Sequence, residues 1–559
     1  MLLTRGPVKR VLLRAMSRQL SVQSEIKLTE VENKLCTLLD ECCTHLRESH
    51  GVTTSCRIAG GWVRDKLLGM ESDDIDIALS DMMGDVFASH LREFAQTKNV
   101  EAGEIAVLNP NPEQSKHLQT ARLPIFGIVV DLVNLRSEEY AADSRIPTSI
   151  AFGTPVQDAL RRDITINALF YNIHSREVED CTEKGIPDLK NGFIRTPLPP
   201  RQTFLDDPLR ILRSIRFASR FGFEIDPELA NCVREEEIQD ALKTKITRDR
   251  VGVEIEKMMK GPDPVRAIEL IHDMSLYDPI FNVLPVEALK TLSAPLAPAN
   301  FSVKAARIIR KLITPSSELS AIHPSIRSSV ENNPSALARL YLAAALTPFA
   351  GITYLDRKKK PQSILPCSLE QSLRLGGQHH FLDGIPLLFA AAEKLKSPEL
   401  TRWKEPSERV ALGLFLREKM IHHSPADERW QLATLFSLAQ ELVPHYNLDD
   451  DKFDTEQVAA LIELYNTFAS RIEELKLEDV GELKHIITGN DVFKALGATK
   501  QGPWTGKALA KVLEWQLDHP NGTPDDCVVW LQQEQAAGRI SVTSSGSDER
   551  APKRLKTTQ

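Results

Sequence analysis

Arg57-Ile58-Ala59-Gly60-Gly61-Trp62-Val63-Arg64-Asp65, followed by Asp73-Asp74-Ile75-Asp76-Ile77-Ala78-Leu79, is the stretch on which the fold turns. Its first segment has the pattern of a short strand that turns through two glycines into a helix. Paired glycines let backbone N–H groups approach a ligand with no Cβ in the way, and a helix N-terminus adds positive potential. A phosphate is therefore the natural guest of Gly60 and Gly61. Alone, that signal is weak. In the second segment Asp74 and Asp76 lie two apart on an expected strand, which sends both carboxylates off one face while Ile75 and Ile77 enter the core. Two like charges on one face repel, and hard divalent cations with oxygen ligands relieve the repulsion. Asp73 reads as the solvated loop residue before the strand.

Outward from this stretch, Ile26, Leu28, Val31, Leu35, Leu38 and Leu39 recur at helical spacing, so a helix over residues 25–50 precedes the glycines. Residues 56–195 mix β-branched runs with helical segments, the pattern of an α/β or α+β domain. Beyond about residue 200 strand signals fade and helical patterns run to about 535, broken by Pro-rich loops near 294–299, 313–324 and 358–367. The chain has 559 residues, 42% hydrophobic and 26% charged, which excludes wholesale disorder and a coiled-coil rod. A net charge of -8 argues against indiscriminate coating of nucleic acid, so any polyanion must be met by local basic faces. Eight cysteines with no C-x-x-C pair give neither a disulfide framework nor a zinc signature and suit a reducing compartment.

The ends differ from the middle. Residues 1–24 are Arg-rich, amphipathic and free of acid, as a mitochondrial transit peptide is; a basic helix packed on the protein's own surface is the competing reading. A second start at Met16 would delete most of that segment and supply cytoplasmic and nuclear pools. Residues 536–559 read as a disordered tail ending in Lys553, Arg554 and Lys556.

Twelve residues separate Gly61 from Asp74, one helix and a turn, enough to return the strand beside the glycines. At this point the chain resembles the nucleotidyltransferase superfamily of the polymerase β type, whose signature is a glycine pair followed by D-h-D. In that superfamily a third acidic residue on a neighbouring strand completes the site. The candidate is Asp131 in Ile128-Val129-Val130-Asp131-Leu132-Val133, with an edge-strand Asp facing water as the competing reading. Further motifs follow in order: Arg161-Arg162-Asp163-Ile164-Thr165-Ile166-Asn167, then Asp188-Leu189-Lys190-Asn191-Gly192, then Asp206-Asp207-Pro208-Leu209-Arg210, then Thr247-Arg248-Asp249-Arg250. Together they resemble the class II tRNA nucleotidyltransferases, the CCA-adding enzymes.

The resemblance implies an α+β N-terminal nucleotidyltransferase head with a mixed β-sheet, followed by an all-α neck, body and tail. Its expected boundaries are 25–195 for the head, 196–270 for the neck and 271–535 for the body and tail. It implies template-independent addition of C, C and A to the 3′ end of tRNA from CTP and ATP, with two Mg2+ ions on Asp74 and Asp76. Arg64, Arg161 and Arg162 would neutralise the triphosphate, and Asp163 and Asn167 would recognise the ribose. Asp207 and Arg210 would read the base. Against cytosine, Arg donates to O2 and N3 while Asp accepts from N4; against adenine, Arg donates to N1 while Asp accepts from N6. The family has Glu where this chain has Asp206.

Locally, Asp207 reads as an N-cap with Pro208 at N1. Arg210, Arg213, Arg216 and Arg220 recur at helical spacing and give that helix one cationic face, on which Arg210, Arg213 and Arg216 are the nucleotide-binding candidates. Between Arg136 and Arg161 the segment matches the family's flexible loop. Near the end, Gly502, Lys507 and Lys511 resemble a tail motif that contacts RNA phosphates; a helix–helix turn with a Pro-Trp contact is the alternative. Arg357-Lys358-Lys359-Lys360 reads as solvated surface. The expected partners are tRNA, CTP and ATP with no membrane, and the expected state is a monomer. The rival functions are a poly(A) polymerase of the same family and a non-catalytic RNA-binding homologue.

Overall fold

The structure is a computed structural model that describes residues 22–108, 120–139, 149–319, 321–423, 429–498 and 502–540. Residues 1–21 of the expected transit peptide, Met16, the middle of the flexible loop at 140–148 and the tail from 541 lie outside the described residues. The chain divides into two compact units, Met1–Ala306 with Leu337–Leu382, and Arg307–Ala336 with Asp383–Gln559.

The first unit opens with helix α1 (Glu30–His50), started by a capping box in which Thr29 and Glu32 satisfy each other's backbone N–H groups. Strand β1 (Cys56–Ala59) follows, then helix α2 (Gly61–Leu67) and strand β2 (Ile75–Leu79). Glu32 does a second job: it takes a hydrogen bond from Trp62 Nε1 at 3.0 Å and an ion pair from Lys66 at 2.9 Å, fixing α2 against α1. Trp62 and Lys66 are both buried, so the glycine turn at the start of α2 sits on a rigid base.

Helix α3 (Gly84–Thr97) leads to β3 (Ala106–Leu108), β4 (Thr120–Ile125) and β5 (Ile128–Asn134). The hairpin β6 (Arg136–Glu139) with β7 (Ser149–Phe152) comes next, then helix α4 (Pro155–Leu160), β8 (Phe170–Asn172) and β9 (Glu177–Glu179). Seven strands form one mixed sheet in the order β3-β4-β5-β2-β1-β8-β9. All neighbours in it are antiparallel except β2 and β5, which run parallel with Asp76 directly beside Asp131. Alternation does the sorting: Ile75 and Ile77 are buried under the sheet, and Asp76 faces the other way.

Helices α5 (Gly185–Asn191), α6 (Pro200–Asp206), α7 (Leu209–Phe221), α8 (Pro227–Val233), α9 (Glu236–Thr244) and α10 (Arg248–Met259) complete the part that bears on the site. The apolar stripe of α7 is fully buried through Ile211, Leu212 and Ile215. Beyond residue 200 helices dominate, as expected, with a few short strand pairs among them. Thr353–Leu355 pairs with Pro361–Ser363, and Tyr446–Asn447 with Lys452–Phe453. Pairs this short carry no period to read, and Pro361 can join because its strand has a single neighbour. Arg357, Lys358, Lys359 and Lys360 form the exposed turn of the first of these hairpins.

The second unit is helical apart from such a hairpin, with Trp403, Trp430, Phe436, Tyr465 and Phe468 buried in its interior. Its last helices pack Trp504, Val512 and Trp515 against Cys527 and Leu531.

Candidate active site

Three carboxylates meet at one end of the β2–β5 pair. Asp74, Asp76 and Asp131 each offer an oxygen, and these atoms all lie within 4.8 Å of one another. Asp76 and Asp131 are strand residues in register. Asp74 stands just before the strand, whose ladder begins at Ile75, and it is exposed where a strand residue was expected. Asp73 is exposed beside it, as its sequence position implies. Burial, with the charge of Asp74 adding to it, pushes the carboxyl of Asp76 up to about 6, while the nearby cation of Arg162 pulls the other way. A charge cluster of hard oxygen donors held this close, with one member forced toward its neutral form, fits a divalent cation. Asp131 is not a lone edge carboxylate: Arg122, opposite it on β4, donates to both of its oxygens at 2.8 and 2.9 Å.

The glycine turn lies on the adjoining strand β1. Gly60 has φ +75° and ψ -122°, outside the range of residues with a side chain, and a Cβ there would come within 2.7 Å of Arg162 Nη1. Arg162 is thereby packed against the turn, with its guanidinium over the ring of Phe170 at 5.1 Å. Its partner is Asp158 on α4, buried to 1% exposure, which also takes Arg161. Burial alone would lift the carboxyl of Asp158, yet the charges of Arg162 and Arg161 hold it below its ordinary value. Arg161 reaches Glu138 at 3.2 Å as well, tying the hairpin β6–β7 to α4.

Arg64, expected to face the triphosphate, has its Nη2 beside Gly61 of the turn. It is buried, pairs with Asp65 at 2.7 Å, donates to Asn167 Oδ1, and lies over the rings of Phe217 and Phe221. Asn167 in turn donates to Asp163 at 3.1 Å. The other oxygen of Asp163 receives Arg213 of α7 at 2.7 Å, so α7 is latched to the segment after α4. Burial opposes the charged form of Asp163, but Arg213, Asn167 and the N–H of Ile164 overcome it and hold the carboxyl at about 2.

Helix α7 starts one residue later than the sequence suggests. Pro208 has helical dihedrals but occupies the cap position, and Asp207 still caps in effect because its Oδ1 accepts from Leu209 N at 3.2 Å. Its Oδ2 accepts from Arg250 Nη2 at 3.2 Å. Arg210 is buried beside it, and burial raises the carboxyl of half-buried Asp206. The cationic face of α7 is not bare. Arg213 pairs with Asp163, Arg216 with Glu254 at 2.6 Å, and Arg220 with Asp65 at 3.6 Å.

In the second unit Gly502 precedes helix Pro503–Asp518 in ordinary extended backbone. Trp504 is buried in the local core, Lys507 is exposed, and Lys511 pairs with Glu514 at 2.6 Å.

Sequence reasoning missed Arg122, Asp158, Glu254 and Arg250 as partners of the site. Arg250 ends the quoted Thr247 motif and Glu254 follows it one helical turn later, which was the available signal. Asp158 was detectable as a carboxylate three and four residues before Arg161 and Arg162. Arg122 becomes visible only once strand register is known.

The comparisons agree with this geometry. Residues 56–195 match the family described as "Poly A polymerase head domain", and residues 222–286 the one described as "Probable RNA and SrmB- binding site of polymerase A". The chain is 38% identical over 526 residues to the mitochondrial CCA tRNA nucleotidyltransferase of Saccharomyces cerevisiae, covering 91% of this chain and 94% of that one. It is 36% identical to the mitochondrial CCA tRNA nucleotidyltransferase of Candida glabrata, over 93% of this chain and 98% of that protein. A solved CCA-adding enzyme, apo form II, shares the fold with a TM-score of 0.57 at 20% identity, covering 90% of this chain and 96% of that one. By sequence and by the site its head and neck build, the chain belongs to the CCA tRNA nucleotidyltransferases.

Proposed function

We infer that this protein adds C, C and A to the 3′ end of tRNA from CTP and ATP without a nucleic-acid template, releasing pyrophosphate. The observation that carries this is the convergence of Asp74, Asp76 and Asp131 beside the Gly60 turn. The names of the relatives support the substrates. Asp74, Asp76 and Asp131 would hold two divalent ions, with Mg2+ the default for triphosphates. When bound, the ions supply a lowered pKa for the primer hydroxyl and charge stabilisation at the α-phosphate.

The chain's own residues do the rest. Backbone N–H groups at Gly60 and Gly61 and the guanidiniums of Arg161 and Arg162 take the phosphates. Arg64, whose Nη2 lies beside Gly61, joins them and also holds Asn167, which with Asp163 meets the ribose. Asp207 and Arg210 present an acceptor and a donor set that suit C and A and oppose G and U. Lys507 and Lys511 would meet tRNA phosphates. Relatives named as mitochondrial, and the acid-free first 24 residues, support a mitochondrial location, with start at Met16 supplying cytoplasmic and nuclear pools. Among the described residues no helix is long and apolar enough to cross a membrane. The working state proposed is a monomer.

The test offers purified protein, Mg2+ and a tRNA transcript lacking its last three nucleotides CTP alone, ATP alone and both, with product length read at single-nucleotide resolution. Two additions with CTP, completed by one A when both are present, is the expected result. A long A ladder without C would instead assign a poly(A) polymerase, and no extension in any lane a binding protein.

A further inference from the structure

Three turns along α7 from the base-reading end, a cavity of about 230 Å3 opens between α7 and the end of α10, lined among others by Arg216, Ser219, Arg220, Lys257 and Gly261. The charges around it do not balance. Arg64 and Arg220 share Asp65, Arg216 and Lys257 share Glu254, and Arg213 holds Asp163. Five cations among the described residues are thus served by three carboxylates, an excess of two positive charges.

The weakly held members are the ones at the cavity. Arg220 stands 3.6 Å from Asp65, and Lys257 3.3 Å from Glu254, with side chains 39% and 53% exposed. Arg64 and Arg216, by contrast, keep tight partners at 2.7 and 2.6 Å with side chains 4% and 14% exposed. Stacking fixes the planes: Arg216 lies over Phe217 at 4.2 Å and Arg220 over Phe221 at 5.0 Å. A guanidinium stacked on a ring keeps its N–H edges for a ligand, and a fixed fork suits a tetrahedral anion. Ser219 and Gly261 add no bulk at the mouth.

We propose that this cavity binds a phosphate group, gripped by Arg220 and Lys257. The site deepens, and rests on, the reading of the chain as an enzyme acting on RNA and nucleoside triphosphates. Two sources share this chemistry, a backbone phosphodiester of the tRNA and the triphosphate of the incoming nucleotide. Arg220 lies about 15 Å along the helix axis from Arg210, beyond the base-reading pair, which favours the RNA backbone.

Binding of a tRNA transcript lacking its last three nucleotides, followed by fluorescence anisotropy across a salt series, is compared in wild-type protein, Lys257→Gln, Arg220→Gln and the double variant. CTP binding is measured by calorimetry on the same proteins, and thermal unfolding checks the fold. Each lost phosphate contact should lower the slope of log affinity against log salt by about one and weaken binding about fivefold at moderate salt, with CTP affinity unchanged. Weakened CTP binding with an unchanged tRNA slope also upholds the site and assigns it to the triphosphate. Folded variants that match wild type in both measurements overturn the proposal. Lys257→Gln, on a half-exposed side chain, keeps the test decisive if changing Arg220 disturbs the fold. A failure of the functional reading looks different: wild-type protein would then bind the transcript without extending it, or extend it with A alone, while the salt slopes of the variants still report on the phosphate site.

Discussion

Arg122 and Asp131 face each other across the antiparallel pair β4–β5, and the guanidinium takes both oxygens of the carboxylate. Asp131 in turn stands beside Asp76 on β2, so one cation and two carboxylates run in a row across three strands. In this state Arg122 joins Arg162 in supplying positive charge to the three clustered carboxylates, and it does so on the Asp131 oxygens a metal would use.

Replacing Arg122 by Gln should therefore tighten divalent-metal binding, on the order of tenfold for a unit charge removed from beside a doubly charged ion. The metal-free protein should lose stability at the same time, since the carboxylates then repel without relief. Titration of Mn2+ followed by its electron spin resonance signal, with unfolding in EDTA alongside, measures both. Weaker metal binding in Arg122→Gln would mean that the arginine orients Asp131 for the ion rather than competing with it.

Asp76 gives the complementary case. Its carboxyl rises to about 6 from an ordinary value of 3.8, with burial the main cause and Asp74 the next. A raised carboxyl pKa means that the folded, metal-free protein binds more protons than the unfolded chain. Stability should then increase as pH falls from above 6 toward 4, before wider acid unfolding begins. Asp76→Asn should remove that pH dependence, raise the melting temperature in EDTA at pH 7.5, and lower nucleotide addition by at least about a thousandfold. A variant with unchanged turnover would remove Asp76 from the metal site.

The latch between Asp163 and Arg213 runs with the opposite sign. Asp163 is held at about 2, so its contribution is complete above its unfolded value near 3.8 and disappears as pH falls toward 2. Arg213→Gln leaves a buried carboxylate without its cation and should cost about 3 kcal/mol at neutral pH. Urea unfolding of both proteins should show the gap closing below about pH 4, where the carboxyl is neutral in the unfolded chain and can protonate in the variant. A gap constant with pH would assign the loss to packing of the arginine stem.

Gly60 and Gly61 look alike in sequence and should not behave alike. An alanine at Gly60 meets Arg162 Nη1 at 2.7 Å and must hold φ +75°, whereas at Gly61 its nearest neighbour is Arg64 Nη2 at an ordinary 3.5 Å. Gly60→Ala should cost about 1–3 kcal/mol and raise the KM for CTP and ATP by displacing Arg162. Gly61→Ala should leave stability within about 1 kcal/mol. Equal effects at the two positions would deny the turn its special geometry.

These contrasts show what the sequence could and could not tell. The glycine turn, Asp76 and the buried stripe of α7 were legible because each follows a local rule: a positive φ, a period of two, a period near 3.6. Asp131 was legible as an awkward charge in an apolar strand, and its role follows from pairing with β2. The state of the arginines was not legible. Arg64, Arg161, Arg162, Arg213 and Arg216 all read as cations open to a polyanion, yet each is met by a carboxylate: Arg64 by its neighbour Asp65, and the others by one from another turn or another element. Spacing reports which residues share a face; it carries no information on what the fold sets opposite that face.

Arg250 illustrates this and leads to a prediction about specificity. It comes from α10, 43 positions after Asp207, and holds Oδ2 of the carboxylate whose Oδ1 is occupied by the start of α7. Both oxygens are thus oriented before any base arrives. Arg250 Nη1 is buried without a hydrogen-bond partner among the described residues, while the side chain as a whole is partly exposed. With Gln at this position Asp207 keeps only its contact to the helix start and can rotate. An acceptor free to turn distinguishes an exocyclic amine from a carbonyl less well, because the penalty for a mismatched base depends on its polar groups being left unpaired. Arg250→Gln should lower incorporation of C and A by about tenfold in kcat/KM while incorporation of U and G changes little or rises, with tRNA affinity unaltered. Single-turnover incorporation of each of the four nucleotides measures that ratio. A uniform fall across all four would show that Arg250 supports the fold of the neck without setting the choice of base.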